Sequence, residues 1–125
     1  MSKVDDMMAL LKELKERHTQ IKACMVAKRG LEGLIMFPET FKEEVSGIWT
    51  PLSKDLNDML LMVAKYSSVG LNRIYTELLG YGVALVVLSM SDTALIVFIK
   101  DDNPLQGLDA IIADMEQTRD RLVTA

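Results

Sequence analysis

Val83-Ala84-Leu85-Val86-Val87-Leu88 and Ala94-Leu95-Ile96-Val97-Phe98-Ile99 are two unbroken apolar runs, separated only by Ser89-Met90-Ser91-Asp92-Thr93. Each is too short for a typical helix and rich in Val, Leu and Ile, the composition of a strand covered on both faces. A connection this short joins only antiparallel strands. Just upstream, Arg73-Ile74-Tyr75-Thr76-Glu77-Leu78-Leu79 mixes strand-forming residues with polar ones, and Gly80-Tyr81-Gly82 supplies a turn. Residues 73–99 are therefore expected to form a three-stranded antiparallel meander. Its first strand reads as an edge, a place where another chain can add on.

Working outward, residues 3–19 place Val4, Met7, Met8, Leu11 and Leu14 at helical spacing, with His18 continuing the same side. Asp5 and Asp6 near the start and Lys15 and Arg17 near the end suit the helix dipole. Ile21–Lys28 and Leu34–Phe37 read as two strands joined by Arg29-Gly30-Leu31-Glu32-Gly33, whose glycines fit a tight hairpin, and Pro38 stops the second strand. From Glu39 to Tyr66 a single stripe holds Phe41, Val45, Ile48, Trp49, Leu52, Leu56, Met59, Leu60 and Val63, the strongest helix signal in the chain. Gly47 and Pro51 argue against a straight rod, so a kink or break is expected near residue 50, with Thr50 capping a segment that starts at Pro51. Leu61 falls opposite the stripe. Past the meander, Asn103-Pro104 has the form of a helix start, and Leu105, Leu108, Ile111, Ile112, Met115 and Leu122 continue as a stripe.

The order is α-β-β-α-β-β-β-α. Strands buried on both faces need cover on both sides, so the expected architecture is a three-layer α/β/α sandwich, α+β in class, around a five-stranded antiparallel sheet. With 125 residues and no visible linker or repeat, a single domain over 1–125 is expected.

A net charge of −4 without any basic cluster beyond Lys28-Arg29 points away from nucleic acid. The longest apolar run is far short of a membrane span, and Asp5 and Asp6 stand where a signal peptide carries positive charge, so no membrane insertion and a cytoplasmic location are expected. One cysteine, Cys24, excludes an internal disulfide. The phosphate loop, the nucleophile elbow and the His-Glu-x-x-His zinc pair are all missing from the sequence. Gly80-x-Gly82 leads into a strand and reads as a turn, and Asp101-Asp102-Asn103 lacks calcium-loop spacing and reads as a cap. A catalytic pair would have to be Cys24 and His18. Cys24 sits mid-strand in apolar company, where a thiol is inert, and His18 reads as a half-buried, satisfied ring. Trp49 reads as core or as a partner anchor, and the nine methionines as core filling or an adaptable face. No catalytic residue, metal ligand or cofactor is assigned.

The hairpin from Ala23 to Ile35, the long helix after it, Arg73 to Leu88, Thr93 to Ile99 and Asn103-Pro104-Leu105-Gln106-Gly107-Leu108 together resemble the Roadblock family, the dynein light chains of that name and their bacterial and archaeal relatives. The likeness covers nearly the whole chain and rests on hydrophobic pattern and glycines. Pro51 departs from the usual pattern. The resemblance implies a homodimer, or a heterodimer with a paralogue, formed by Arg73, Ile74, Tyr75, Thr76, Glu77 and Leu78 continuing the sheet, with Gly47 and Leu61 at the paired long helices. It further implies a non-enzymatic platform for a small Ras-like GTPase, or a subunit of a motor or trafficking complex; Lys42, Glu43, Ser46, Lys54, Asp55 and Asp58, which read as solvent-facing, are the expected contact residues. Two other readings are a PAS-like or profilin-like small-molecule sensor with Trp49 and methionines lining a pocket, and a small enzyme using Cys24 and His18.

Overall fold

The structure is a computed structural model that describes residues 3–28, 35–89, 93–100 and 106–124. Helix α1 (Lys3–Arg17) leads into β1 (Ile21–Lys28) and β2 (Ile35–Phe37). A short α2 (Phe41–Glu44) and a 3₁₀ turn (Ser46–Ile48) precede the long α3 (Trp49–Tyr66). The chain then runs through β3 (Arg73–Leu78), β4 (Tyr81–Ser89) and β5 (Thr93–Ile99) to α4 (Leu108–Thr124). The five strands form one antiparallel sheet in the order β2-β1-β5-β4-β3, so the expected meander is present and β3 is an edge.

Both faces of the sheet are covered, as the unbroken apolar runs require. Along β5, Ala94, Ile96 and Phe98 point to one face, while Leu95, Val97 and Ile99 point to the other. The first face packs against Phe41 and Val45 and, from α3, Leu52, Leu56, Met59, Leu60 and Val63. The second packs against Leu11 and Leu14 of α1 and Ile111, Met115 and Leu122 of α4. The sandwich therefore has two separate hydrophobic layers divided by the sheet.

An ion cluster ties the two helices of the second layer together. Arg17 donates from Nε and Nη2 to Asp114 at 2.7 and 2.9 Å, and His18 Nε2 lies 2.8 Å from the same carboxylate. His18 is thus the half-buried, partnered ring expected. These hydrogen bonds, Arg17 first, hold the Asp114 carboxyl below its ordinary 3.8 despite partial burial. A carboxylate that is more acidic in the folded chain contributes stability at every pH above its ordinary value. That contribution disappears as pH falls through the lower folded value. Asp114→Asn is therefore expected to lower stability by about 1 kcal/mol at neutral pH, a modest figure because Arg17 is partly exposed. The same variant should lose less than the parent between neutral pH and pH ~3, which urea titrations at stepped pH would read directly.

Three boundaries differ from the sequence reading. The long helix breaks earlier, at Val45–Ile48, and restarts at Trp49 with Ile48 in the cap position and no side-chain cap. Thr50 is thus inside the helix and is not its cap. Pro51 falls in the first turn, where its missing amide has no partner to lose, while its ring excludes a continuous helix through residue 47. The β3–β4 turn is centred on Leu79-Gly80, both at positive φ (52° and 89°), and Gly82 lies inside β4. That pattern is the mirror-image turn that matches strand twist, and a leucine in it is unusual. Finally, α4 begins at Leu108, because Gly107 takes φ 73°, which a right-handed helix cannot contain. The hairpin tip 29–34, the residues 90–92 and the expected Asn103-Pro104 start lie outside the described residues.

Candidate interaction surface

Side chains along β3 point alternately to the two faces of the sheet, and that alternation sets what its two sides offer. Ile74 and Leu78 pack toward α3, and Tyr75 toward the α1/α4 layer. On the same side as Tyr75, Arg73 reaches Glu116 of α4 at 3.4 Å. The ladder to β4 pairs Arg73 with Val86 through to Leu78 with Tyr81. The Val87 amide donates to the Asn72 carbonyl at 2.9 Å, which fixes Asn72 and, by alternation, Ile74, Thr76 and Leu78 as the residues bonded to β4. Arg73, Tyr75 and Glu77 therefore direct their backbone N–H and C=O groups away from β4. Among the described residues no strand pairs with that outer edge.

An apolar patch lies on the neighbouring helix. Leu61, Met62, Tyr66 and Val69, within nine residues, are all exposed, Val69 at 79%. Met62 and Tyr66 stand at i and i+4 on α3, beside the buried stripe, and Val69 follows in the 3₁₀ turn Ser67–Val69 just past its end. Clustering of this kind marks a contact surface more than scattered exposure does. Of these, only Leu61 stands out in the sequence, because the other three fall near the flank of the dominant stripe. A second, outward period laid over the same helix would have found Met62 and Tyr66.

The remaining expected interface residue, Gly47, is exposed in the 3₁₀ turn, and a Cβ built there meets nothing within 4 Å. It precedes α3, while Leu61 lies in the second half of that helix. The expected partner-binding residues Lys42, Glu43, Ser46, Lys54 and Asp58 are exposed, and Asp55 is half-buried. They spread from α2 to the middle of α3. Three of them have local partners: Lys42 Nζ sits 5.1 Å from the centre of the Trp49 ring, and Lys54 and Asp58 lie 3.3 Å from each other. Trp49 itself is half-buried against the first layer.

Solved structures share this architecture, among them two from one bacterium. MglB of Myxococcus xanthus matches with a TM-score of 0.71 at 12% identity, over 99% of this chain and 90% of its own. MglC from Myxococcus xanthus matches with a TM-score of 0.58 at 15% identity, over 90% of this chain and 96% of its own. The fold is Roadblock-like. No protein-family model and no curated protein matches the sequence.

Within this Roadblock-like fold the reactive groups are placed for structure. Cys24 is fully buried in β1, and burial pushes its thiol up to about 12, so the nucleophilic thiolate is not formed near neutrality. His18 is engaged by Asp114. Among the described residues no group of three His, Cys, Asp or Glu side chains is placed to hold a metal ion, and no helix is long and apolar enough to cross a membrane. Met25, Met36, Met59 and Met115 are core residues, while Met62 belongs to the exposed patch. A groove of about 390 Å³ lined by Val4, Met8, Ile35, Met36, Glu39 and Lys42 runs past the other edge strand, β2.

Proposed function

We propose that this chain is a non-enzymatic dimeric scaffold that regulates a small Ras-like GTPase. The observation that carries the reading is the β3 edge, unpaired among the described residues, next to exposed apolar residues of α3. Its Roadblock-like fold supports the reading, since the Roadblock resemblance implies platforms for such GTPases or for motor subunits. On this reading the edge and these apolar residues assemble the dimer. The surface carrying Lys42, Glu43, Ser46, Lys54, Asp55 and Asp58 then faces the partner.

The test offers the purified chain to each Ras-like GTPase encoded in its genome, loaded in turn with GDP and with a non-hydrolysable GTP analogue. Saturable binding to one of them is expected, and joint replacement of those six residues by alanine should weaken it at least tenfold, the scale set by losing a few interface contacts. Binding to none of the GTPases overturns the function. Binding that survives the six replacements overturns the surface. Single-turnover GTP hydrolysis with and without the chain then separates a scaffold from a stimulator.

A further inference from the structure

The outer edge of β3 carries its own complement. Arg73, Tyr75 and Glu77 direct their free backbone groups outward, and their side chains share the α4 side of the sheet. When a strand pairs antiparallel with a second copy about a two-fold axis, opposite residues lie on the same face and hydrogen-bonding residues face one another. That leaves few registers. With Tyr75 on the axis, Arg73 of each copy faces Glu77 of the other, twice, and every outward N–H and C=O of the three residues finds a partner. With Thr76 on the axis, Glu77 faces Tyr75, and Arg73 faces Leu79 in the turn. With Ile74 on the axis, Arg73 faces Tyr75, and Glu77 faces Leu71, ahead of the strand. Shifts beyond these set Arg73 against Arg73 or Glu77 against Glu77, and opposed like charges destabilise a pair of strands.

We propose that this edge selects a second copy of the same chain in the Tyr75-centred register, with the Arg73–Glu77 pairs as its specificity code. The inference rests on the dimeric reading above and names its partner. Both charged side chains are exposed and available. The Arg73–Glu116 contact is long and solvent-facing, so it holds the guanidinium on the correct face without tying it up. The Tyr75 hydroxyl is buried and has no hydrogen-bond partner. Tyr75 is the residue that stands on the axis of this register.

A charge swap tests the code. Arg73→Glu alone and Glu77→Arg alone are each expected to weaken self-association on the order of ten- to a hundredfold, since two attractive pairs become two repulsive ones. An equimolar mixture of the two variants should associate as a heterodimer, and the double variant should self-associate like the parent. Light scattering over a wide concentration range reads all four against the 14.0 kDa monomer. Under mild oxidation Tyr75→Cys should cross-link to itself and Thr76→Cys should not, Cys24 being buried. A parent that stays monomeric overturns the dimeric reading and this inference together. If the parent dimerises but the single variants do so equally well, or Thr76→Cys is the one that cross-links, the register falls and the dimer stands.

Discussion

Phe98→Ala is expected to reduce the unfolding free energy by about 3–5 kcal/mol, the usual range for emptying a buried aromatic site. Phe98 is fully buried, with ring centres 5.0 Å from Phe41 and 6.2 Å from Tyr81, and those two rings meet edge to face at 5.7 Å. The triad joins β5, α2 and β4, so the cavity would open where the helical layer meets the sheet. Aromatic contacts add about 0.5–1.5 kcal/mol beyond buried area, and two of the three involve Phe98. Against a typical total of about 5–15 kcal/mol, a loss this large leaves the chain near its unfolding threshold. Urea titration should show the midpoint falling with little change in slope, and Phe98→Leu should lose less because it keeps more of the volume. A parent-like midpoint for Phe98→Ala would mean that the triad is not packed as described.

Proline at two adjacent positions of β3 is expected to give opposite results. The Thr76 amide belongs to the ladder with Val83, so Thr76→Pro removes a sheet hydrogen bond and leaves a carbonyl of β4 unsatisfied. A loss of at least about 2 kcal/mol should follow. The Glu77 amide points outward, where proline removes nothing within the chain. Glu77→Pro should therefore keep the circular dichroism and thermal transition of the fold while driving the association equilibrium to monomer. If Glu77→Pro still dimerises, the dimer does not use this edge.

The sheet was legible because its strands are buried on both faces, so β4 and β5 appear as uninterrupted apolar runs, and the edge character of β3 because polar residues break its run. Helix α3 was legible from its buried stripe, but its start was not. Pro51 is compatible with both a cap after Thr50 and a first turn begun at Trp49, and only the tertiary fit of Phe41 and Val45 against the sheet selects the second. The turn at Leu79-Gly80 was hidden for a different reason. Leucine gives no signal for positive φ, so Gly82 drew the assignment one step too far along. At the surface, off-stripe positions such as Lys42 and Lys54 could be named as exposed, and the i,i+4 spacing of Lys54 and Asp58 signals their pair, yet sequence gives no sign that Lys42 covers Trp49. The outward patch of Met62, Tyr66 and Val69 was masked by the stronger inward stripe.

The strand order has a consequence for how this chain comes into being. β5 is the last strand along the chain and the middle one in the sheet, between β1 and β4. Its pairing with β1 joins Ile21 to Ile99 and Lys28 to Thr93. During synthesis the β1–β2 hairpin and the β3–β4 hairpin each expose an inner edge until residues 93–99 arrive to bridge them, and only then can either hydrophobic layer close. Such non-local closure slows folding and lengthens the time during which unpaired apolar strands are open to aggregation. The two halves of this molecule thus depend on a single late segment, and slowing translation just before it would prolong the vulnerable state.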